Sequence, residues 1–344
     1  MNHIITIEGD PQSVLADDGE TILDAALRNG VGFAYSCQAG NCGTCKCEYV
    51  SGEVFELEYS EHALSPAERA RNIVLACRTQ VWSDVRIRRL SAEEFVVHPS
   101  RIMQCRVTDL TALTHDVLRL RFAIETGGPF TFSPGQFAKL QFAFAAEQPR
   151  DYSMANAPGE PELEFHLRVL GGGVSGLVRD HLRLGDRVKI SGPFGTSYLR
   201  SQHTGPILAI AGGTGLAPIR SIVAGALAAG VPGPIHVYFG VREERDVYGE
   251  QELRDWQARY ANLHVHVVLS EQTSVANGRR AGVVTDAVRA DFGSLAGFHA
   301  YLAGPPAMVD AATEILREKG VSARDMHADA FYSAAPAVAK AAAA

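Results

Sequence analysis

Long apolar runs are missing from this chain of 344 residues. No stretch approaches the roughly eighteen apolar residues in a row that a transmembrane helix needs, so no spanning helix is expected. The opening, MNHIITIEGDPQ, has neither the basic nor the apolar region of a secretory signal, which points to a cytoplasmic protein. An excess of positive charge is also missing: 32 Lys and Arg stand against 39 Asp and Glu, a net −7. That balance makes nucleic acid a poor partner. Cysteine is scarce, at 6 residues, and in a reducing compartment those few are better suited to metal or redox work than to disulfides. No internal repeat is found.

What is present is the composition of a globular protein with sizeable cores, 46% hydrophobic and 21% charged. The length exceeds one ordinary domain. Charge is unevenly placed. Residues 1–95 hold 15 acids and 8 bases, which accounts for the whole net charge. Solubility alone would explain this; a docking face for a basic partner is the functional reading, since a concentrated field speeds encounter.

Three segments and a tail follow from patterning. Residues 1–95 contain a short alternating stretch (IITIEG), a helical pattern (GETILDAALRNGV), a cysteine-rich loop and short strands such as CKCEYV and VRIRRL. Residues 96–204 carry β-rich runs punctuated by PG and GG, as in an antiparallel barrel. Residues 205–333 alternate buried-strand patterns (PILAIA, IHVYFG, LHVHVVLS, HAYLAG) with helical ones, as in a parallel α/β domain. Residues 334–344 are alanine-rich and expected to be disordered.

Four of the cysteines fall in SCQAGNCGTCKC. Cys37, Cys42 and Cys45 have the spacing C-x4-C-x2-C, and Cys77 follows in IVLACRTQ. This is the plant-type [2Fe–2S] spacing, in which two irons take four thiolates and three come from one wrapped loop. Gly40 and Gly43 would let backbone N–H groups approach the sulfurs. Zinc is the competing reading, but a zinc site usually pairs two close-spaced knuckles, and Cys77 has no near neighbour. Cys47 and Cys105 are read as ordinary thiols, Cys47 pointing to the opposite face of a strand.

Further motifs follow in order. RDYSMAN (Arg150 to Asn156) comes after SPGQF, FHLRVLGGGVSGLV after that, then AGGTGLAP (Ala211 to Pro218) behind an apolar strand, and finally YLAGPPAMVD and HADAFY. A strand–GGTG–helix turn allows close backbone approach and offers a helix N-terminus to a pyrophosphate.

With this order of motifs the chain resembles the ferredoxin-fused, ferredoxin–NADP reductase-like flavoproteins that feed electrons to aromatic oxygenases, of the naphthalene dioxygenase reductase type. The resemblance implies a β-grasp-like ferredoxin domain, an FAD-binding barrel and an NAD(P)-binding domain. It implies that Arg150 reaches the FAD diphosphate, Tyr152 packs on the isoalloxazine and Ser153 lies near its N5, with Met154 adjoining. It assigns Gly171, Gly172, Gly173 and Ser175, with His166, Leu167 and Arg168 on the preceding strand, to the second diphosphate stretch. There the family's usual proline is missing and the stretch is one residue short. Nucleotide binding falls to Gly212, Gly213, Thr214, Gly215, Pro218, Arg242, Gly304, Pro305 and Met308. Ala303 stands where the family usually has cysteine, and Phe331 where it has an aromatic near the flavin face. Tyr152, Ser153 and Phe331 are thus the residues expected beside the reacting ring.

Arg242 and Arg245 could meet a 2′-phosphate, but Glu243 and Glu244 between them would repel it, so NADH is expected rather than NADPH. The implied sequence is hydride from nicotinamide to flavin, then single electrons to the cluster and on to an acceptor protein, with no acid–base residue required. The expected acceptor is the oxygenase, or the small ferredoxin, of a Rieske-type aromatic-ring dioxygenase. A soluble di-iron monooxygenase, a deoxysugar-intermediate reductase role and a redox sensor are the alternatives.

Overall fold

The computed structural model describes residues 2–90, 96, 98–273 and 278–332. The tail expected to be disordered lies outside the described residues. Three sheets dominate the rest.

In the first, Asn2–Ile7 pairs antiparallel with Val14–Asp17 and parallel with Val85–Arg89, and Lys46–Ser51 joins Val85–Arg89 to the edge strand Ile73–Leu75. The helix Ile22–Arg28 packs across this sheet. Thr21 starts it by accepting the Asp24 N–H at 3.1 Å, satisfying one of the donors a helix leaves open. Its Ile22, Leu23, Ala25 and Ala26 are buried against Ile5, Ile7, Val14 and Ile87. A fully buried side chain of this size contributes about 1.5–3 kcal/mol. The result is a β-grasp-like unit, whose cysteine loop connects helix to sheet.

The second sheet is antiparallel throughout, in the order Arg150–Ser153, Phe137–Gln141, Arg187–Phe194, Arg101–Ala112, Val117–Thr126, Glu162–Arg168. Its two edges meet through a bridge between Met154 and Phe165, which nearly closes a barrel. Residues of alternating direction, among them Met103, Cys105, Leu120, Phe122, Leu140 and Phe165, fill the interior.

The third sheet is parallel, in the order Arg280–Ala281, Leu263–Leu269, Ile235–Val241, Ile207–Gly212, His299–Gly304, Met326–Ala330. Strands from Ile207–Gly212 onward first build out to one side and then to the other. The order therefore reverses beside that strand, and in such sheets ligands bind at the carboxyl ends of the strands where it does. Ile207–Gly212 is buried along its whole length, as expected for a strand covered on both faces. The sixth strand, Met326–Ala330, lies in the segment that the sequence marked only for its aromatic residue. Among the described residues no helix is long and apolar enough to cross a membrane.

Candidate functional site

The cysteine loop brings four thiols together as two pairs. Cys45 Sγ lies 3.3 Å from Cys77 Sγ, and Cys37 is hydrogen-bonded to Cys42, which pulls the Cys37 thiol down to about 5 and pushes Cys42 up. In the other pair the bond from Cys45 lowers Cys77 while Cys45 is raised. A binuclear cluster needs two thiolates per iron, and two sulfur pairs supply them. Cys37 Sγ also accepts the N–H groups of Ala39 at 3.4 Å and Asn41 at 3.3 Å, bonds of the kind that tune a cluster's potential. The loop achieves this by left-handed backbone at Gln38, Gly40 and Gly43 (φ 52°, 75° and 71°). At Gly43 a side chain would also lie 2.6 Å from the Ala63 carbonyl, so only glycine fits there. The residues fit a [2Fe–2S] cluster. Cys47 and Cys105 are fully buried in two separate cores, and burial pushes both thiols up to about 12.

Beside this loop lies the strand Arg150–Ser153. Tyr152 is half-buried, and burial raises its hydroxyl. The Arg150 guanidinium donates to the Pro149 carbonyl at 3.0 Å and to Gln148 Oε1 at 3.2 Å. The second diphosphate stretch forms a turn at Gly171 to Gly173 leading into the helix Gly173–His181, whose N-terminus no side chain caps. A Cβ at Gly171, Gly172 or Gly173 would meet nothing within 4 Å. The turn is thus an open cradle of backbone N–H groups at a positive helix end, a fit for phosphate oxygens. Ser175 secures it, accepting the Leu170 N–H at 3.1 Å and donating to the Gly172 carbonyl at 3.3 Å.

Besides Ser153, whose hydroxyl bonds Asp329, four residues assigned to flavin binding have side chains committed elsewhere. Met154 and Leu167 point into the barrel core, each 0% exposed, because strand alternation turns them inward. His166 faces the nucleotide unit, with Nε2 3.0 Å from Glu164 Oε1 and Nδ1 3.3 Å from the Tyr248 hydroxyl. Burial holds it below the usual histidine range despite Glu164. Arg168 pairs with Asp116 at 2.8 Å and lines the nucleotide crevice.

That crevice has a volume of about 470 Å³ and opens at the strand-order reversal, between the Gly212–Thr214 turn and the Pro305–Met308 helix start, with Arg242, Asp246 and Tyr248 on its rim. Its two walls touch. A Cβ on Gly212 would lie 2.6 Å from Met308 Sδ, and one on Gly215 2.0 Å from the Ala303 carbonyl. Pro218 sits in the first turn of the helix Leu216–Ala228, where its missing N–H has no intrahelical partner to lose. Phe331 donates its N–H to the Gly304 carbonyl at 2.9 Å, which ties it to the nucleotide wall.

Two groups went unnoticed in the sequence. Glu164 accepts from Arg121 at 2.7 Å and from His166. Burial would push this carboxyl up, but the His166 bond, the nearby Arg220 charge and Arg121 reverse that and hold it at about 2. Asp329, in the last strand, accepts the hydroxyls of both Ser36 and Ser153 at 3.1 Å. Burial pushes it up to about 6 against those two bonds. No local pattern marks either residue.

Comparison with known proteins agrees with this geometry. Residues 5–81 match the 2Fe-2S iron-sulfur cluster binding domain, residues 104–198 the oxidoreductase FAD-binding domain, and residues 209–314 the oxidoreductase NAD-binding domain. The chain is 45% identical over 318 residues to the ferredoxin–NAD(P)+ reductase component of the naphthalene 1,2-dioxygenase/salicylate 5-hydroxylase systems of Ralstonia sp., covering 92% of this chain and 95% of that one. It is 44% identical over 317 residues to the corresponding component of the naphthalene 1,2-dioxygenase system of Pseudomonas putida, covering 91% and 94%. Among solved structures, an Amycolatopsis cytochrome P450 reductase superposes with a TM-score of 0.84 at 33% identity, covering 96% of this chain and 98% of that one. With its paired thiols, flavin cradle and nucleotide crevice on one polypeptide, the chain belongs to the ferredoxin-fused, NAD(P)H-dependent flavoprotein reductases that serve as reductase components of oxygenase systems.

Proposed function

We propose that this chain is the NADH-dependent reductase of a Rieske-type aromatic-ring dioxygenase, acting in the cytoplasm and delivering electrons to the oxygenase or its small ferredoxin. Its working units are residues 1–95, 96–204 and 205–333. The observation that carries the reading is the direct contact of the cluster loop with the flavin barrel. Tyr35, two residues before Cys37, accepts the Thr196 hydroxyl at its carbonyl at 2.9 Å, and its N–H lies 3.0 Å from the same oxygen. When bound, the flavin supplies what joins the ends of the chain: it takes a hydride and gives up electrons singly.

The protein's part is to place the three sites. Cys37, Cys42, Cys45 and Cys77 hold the cluster. Arg150, the Gly171–Gly173 turn and Ser175 hold the FAD diphosphate, while Tyr152 covers the ring and Ser153 and Phe331 flank it. Gly212 to Gly215 with Gly304, Pro305 and Met308 receive the dinucleotide, and the ring nitrogens of His166 are taken up by protein partners. NADH is favoured over NADPH because the basic residues at the adenosine side are neutralised in place. Arg245 pairs with Glu243 at 2.8 Å, Arg242 lies 3.8 Å from Asp246, and Glu244 is paired with Arg279. A dianionic 2′-phosphate would have to break those pairs.

The acidic excess supports docking at the cluster end. Many acids of residues 1–95 are paired with arginines, such as Glu8 with Arg88 and Glu20 with Arg28. Glu58 and Glu61 are exposed on the segment whose Ser60 N–H bonds the Gly40 carbonyl at 3.0 Å, and among the described residues neither has an ion pair. The test is NADH-driven reduction of a Rieske oxygenase or its ferredoxin against ferricyanide over a salt series. Protein reduction should weaken as salt screens the field while dye reduction does not, and Glu58→Gln with Glu61→Gln should flatten the dependence. Efficient coupling to a di-iron hydroxylase but not to a Rieske protein would move the assignment to that class. Slow turnover with every acceptor would favour a sensor.

A further inference from the structure

The three units meet at one carboxylate that neither motif nor comparison assigns. Asp329 belongs to the final strand of the nucleotide sheet, Met326–Ala330, and is only 9% exposed. Its Oδ1 accepts the hydroxyl of Ser36 and its Oδ2 that of Ser153, both at 3.1 Å. Ser36 immediately precedes the ligand Cys37. Ser153 closes the flavin motif, and its partner on the barrel is Phe137. A single side chain from the third unit therefore holds the entry to the cluster loop and the flavin strand to one another. Hydrogen bonds to an ionised group are short-range and directional, so two of them on one rigid carboxylate fix a separation.

A second tie acts on the neighbouring residue. Thr196 of the barrel bonds both the N–H and the carbonyl of Tyr35. Tyr35 is thus fastened to the barrel and Ser36 to the nucleotide sheet, two consecutive residues immediately before Cys37. Without Asp329 the residue next to Cys37 would lose its bond to the nucleotide sheet, leaving the barrel ties of Tyr35 to Thr196 and Gly195 to hold the approach from one side.

We propose that Asp329 is a positioning residue for electron transfer within the molecule: by clasping Ser36 and Ser153 it sets the gap between flavin and cluster. The step concerned moves one electron from the reduced flavin to the oxidised cluster; the second follows once the acceptor protein has taken the first from the cluster, and the proton that entered with the hydride is released to solvent. Asp329 makes and breaks no bond in it. Electron transfer falls off exponentially with distance, so a small shift of the loop slows this step selectively. Ser36 does not line the nucleotide crevice, so its loss should leave the entry of hydride there intact. The inference uses the flavin and cluster assignments and holds whichever oxygenase takes the electrons.

Ser36→Ala is the decisive variant, since it removes the cluster-side bond and leaves the flavin motif intact. Holoprotein carrying both cofactors is mixed with NADH anaerobically, and bleaching of flavin and cluster is followed separately by stopped-flow absorbance. Flavin reduction should stay within about twofold of the parent, while cluster reduction slows several-fold, clearly beyond that margin. Hydrogen exchange at the amides of residues 35–41 should quicken in Ser36→Ala and in Asp329→Ala. Asp329→Asn offers one acceptor and one donor to two hydroxyls that can rotate, so it should restore both the exchange protection and most of the cluster rate. If Asp329→Ala fails to fold, Ser36→Ala and Asp329→Asn decide alone. Parent-like cluster reduction in Ser36→Ala, or equal slowing of flavin and cluster reduction, would overturn the proposal. A parent protein whose flavin NADH does not reduce would instead contradict the reductase assignment.

Discussion

Glu164→Ala removes the carboxylate at the seam between the barrel and the nucleotide unit, and the structure sets the size of the loss. His166, with only 4% of its side chain exposed, would lose the acceptor of its Nε2–H, at about 1–3 kcal/mol for a buried group left unsatisfied. Arg121 is 38% exposed and can turn to water, so its share is small. Arg220, close enough for its charge to lower Glu164, keeps its Glu252 partner at 2.7 Å. The sum is about 1–3 kcal/mol with a small addition from Arg121, toward the lower side of the cost of breaking a wholly buried pair. For a unit of this size each kcal/mol lowers Tm by about 2–4 °C, which differential scanning calorimetry resolves. The pH dependence checks the cause. Glu164 is depressed from 4.5 to about 2, so its contribution is fully present above pH 4.5 and is lost as the pH falls toward 2. The gap between parent and variant should therefore be about 1 kcal/mol smaller at pH 4 than at pH 7. A loss under about 1 kcal/mol, or a gap that ignores pH, would refute the reasoning.

Cys77→Ser should abolish the iron–sulfur absorbance and leave the flavin spectrum in place, whereas Arg150→Ala should deplete FAD and spare the cluster; ultraviolet–visible spectra of the purified variants check both. Gly215→Ala forces a methyl to within 2.0 Å of the Ala303 carbonyl. It should cost about 1–3 kcal/mol by overpacking and raise KM for NADH, while photochemical flavin reduction remains intact.

The readable parts of the sequence were those whose chemistry is local. Three cluster ligands lie within one loop, and C-x4-C-x2-C states their purpose without a fold. The GGTG turn is legible because a strand, a turn and a helix start are contiguous, and IHVYFG and LHVHVVLS read as strands because their apolar residues are closely spaced, most of them buried. The barrel could be expected from turn spacing, but not its near-closure, which depends on Met154 meeting Phe165. Side-chain direction was the harder quantity. Leu167 and Arg168 are neighbours in one motif, yet alternation sends the first into the core and the second to the nucleotide crevice. Asp329 was invisible for a stricter reason: its partners lie 176 and 293 positions away, and an aspartate two residues before an aromatic advertises nothing. Glu164 is harder for a related reason: His166 is its neighbour two residues along the strand, but Arg121 lies 43 positions away and Arg220 on a helix of the nucleotide unit, so in sequence it looks like any exposed strand acid.

Anaerobic titration of the holoprotein with NADH, followed by absorbance and by electron paramagnetic resonance, tests the central claim most directly. The account predicts that flavin absorbance bleaches and that the signal of a reduced [2Fe–2S] centre then appears without any added protein, while the Cys77→Ser variant bleaches its flavin and develops no such signal. A parent protein with a full complement of flavin and cluster, whose flavin is reduced by excess NADH while the cluster stays oxidised, would contradict it.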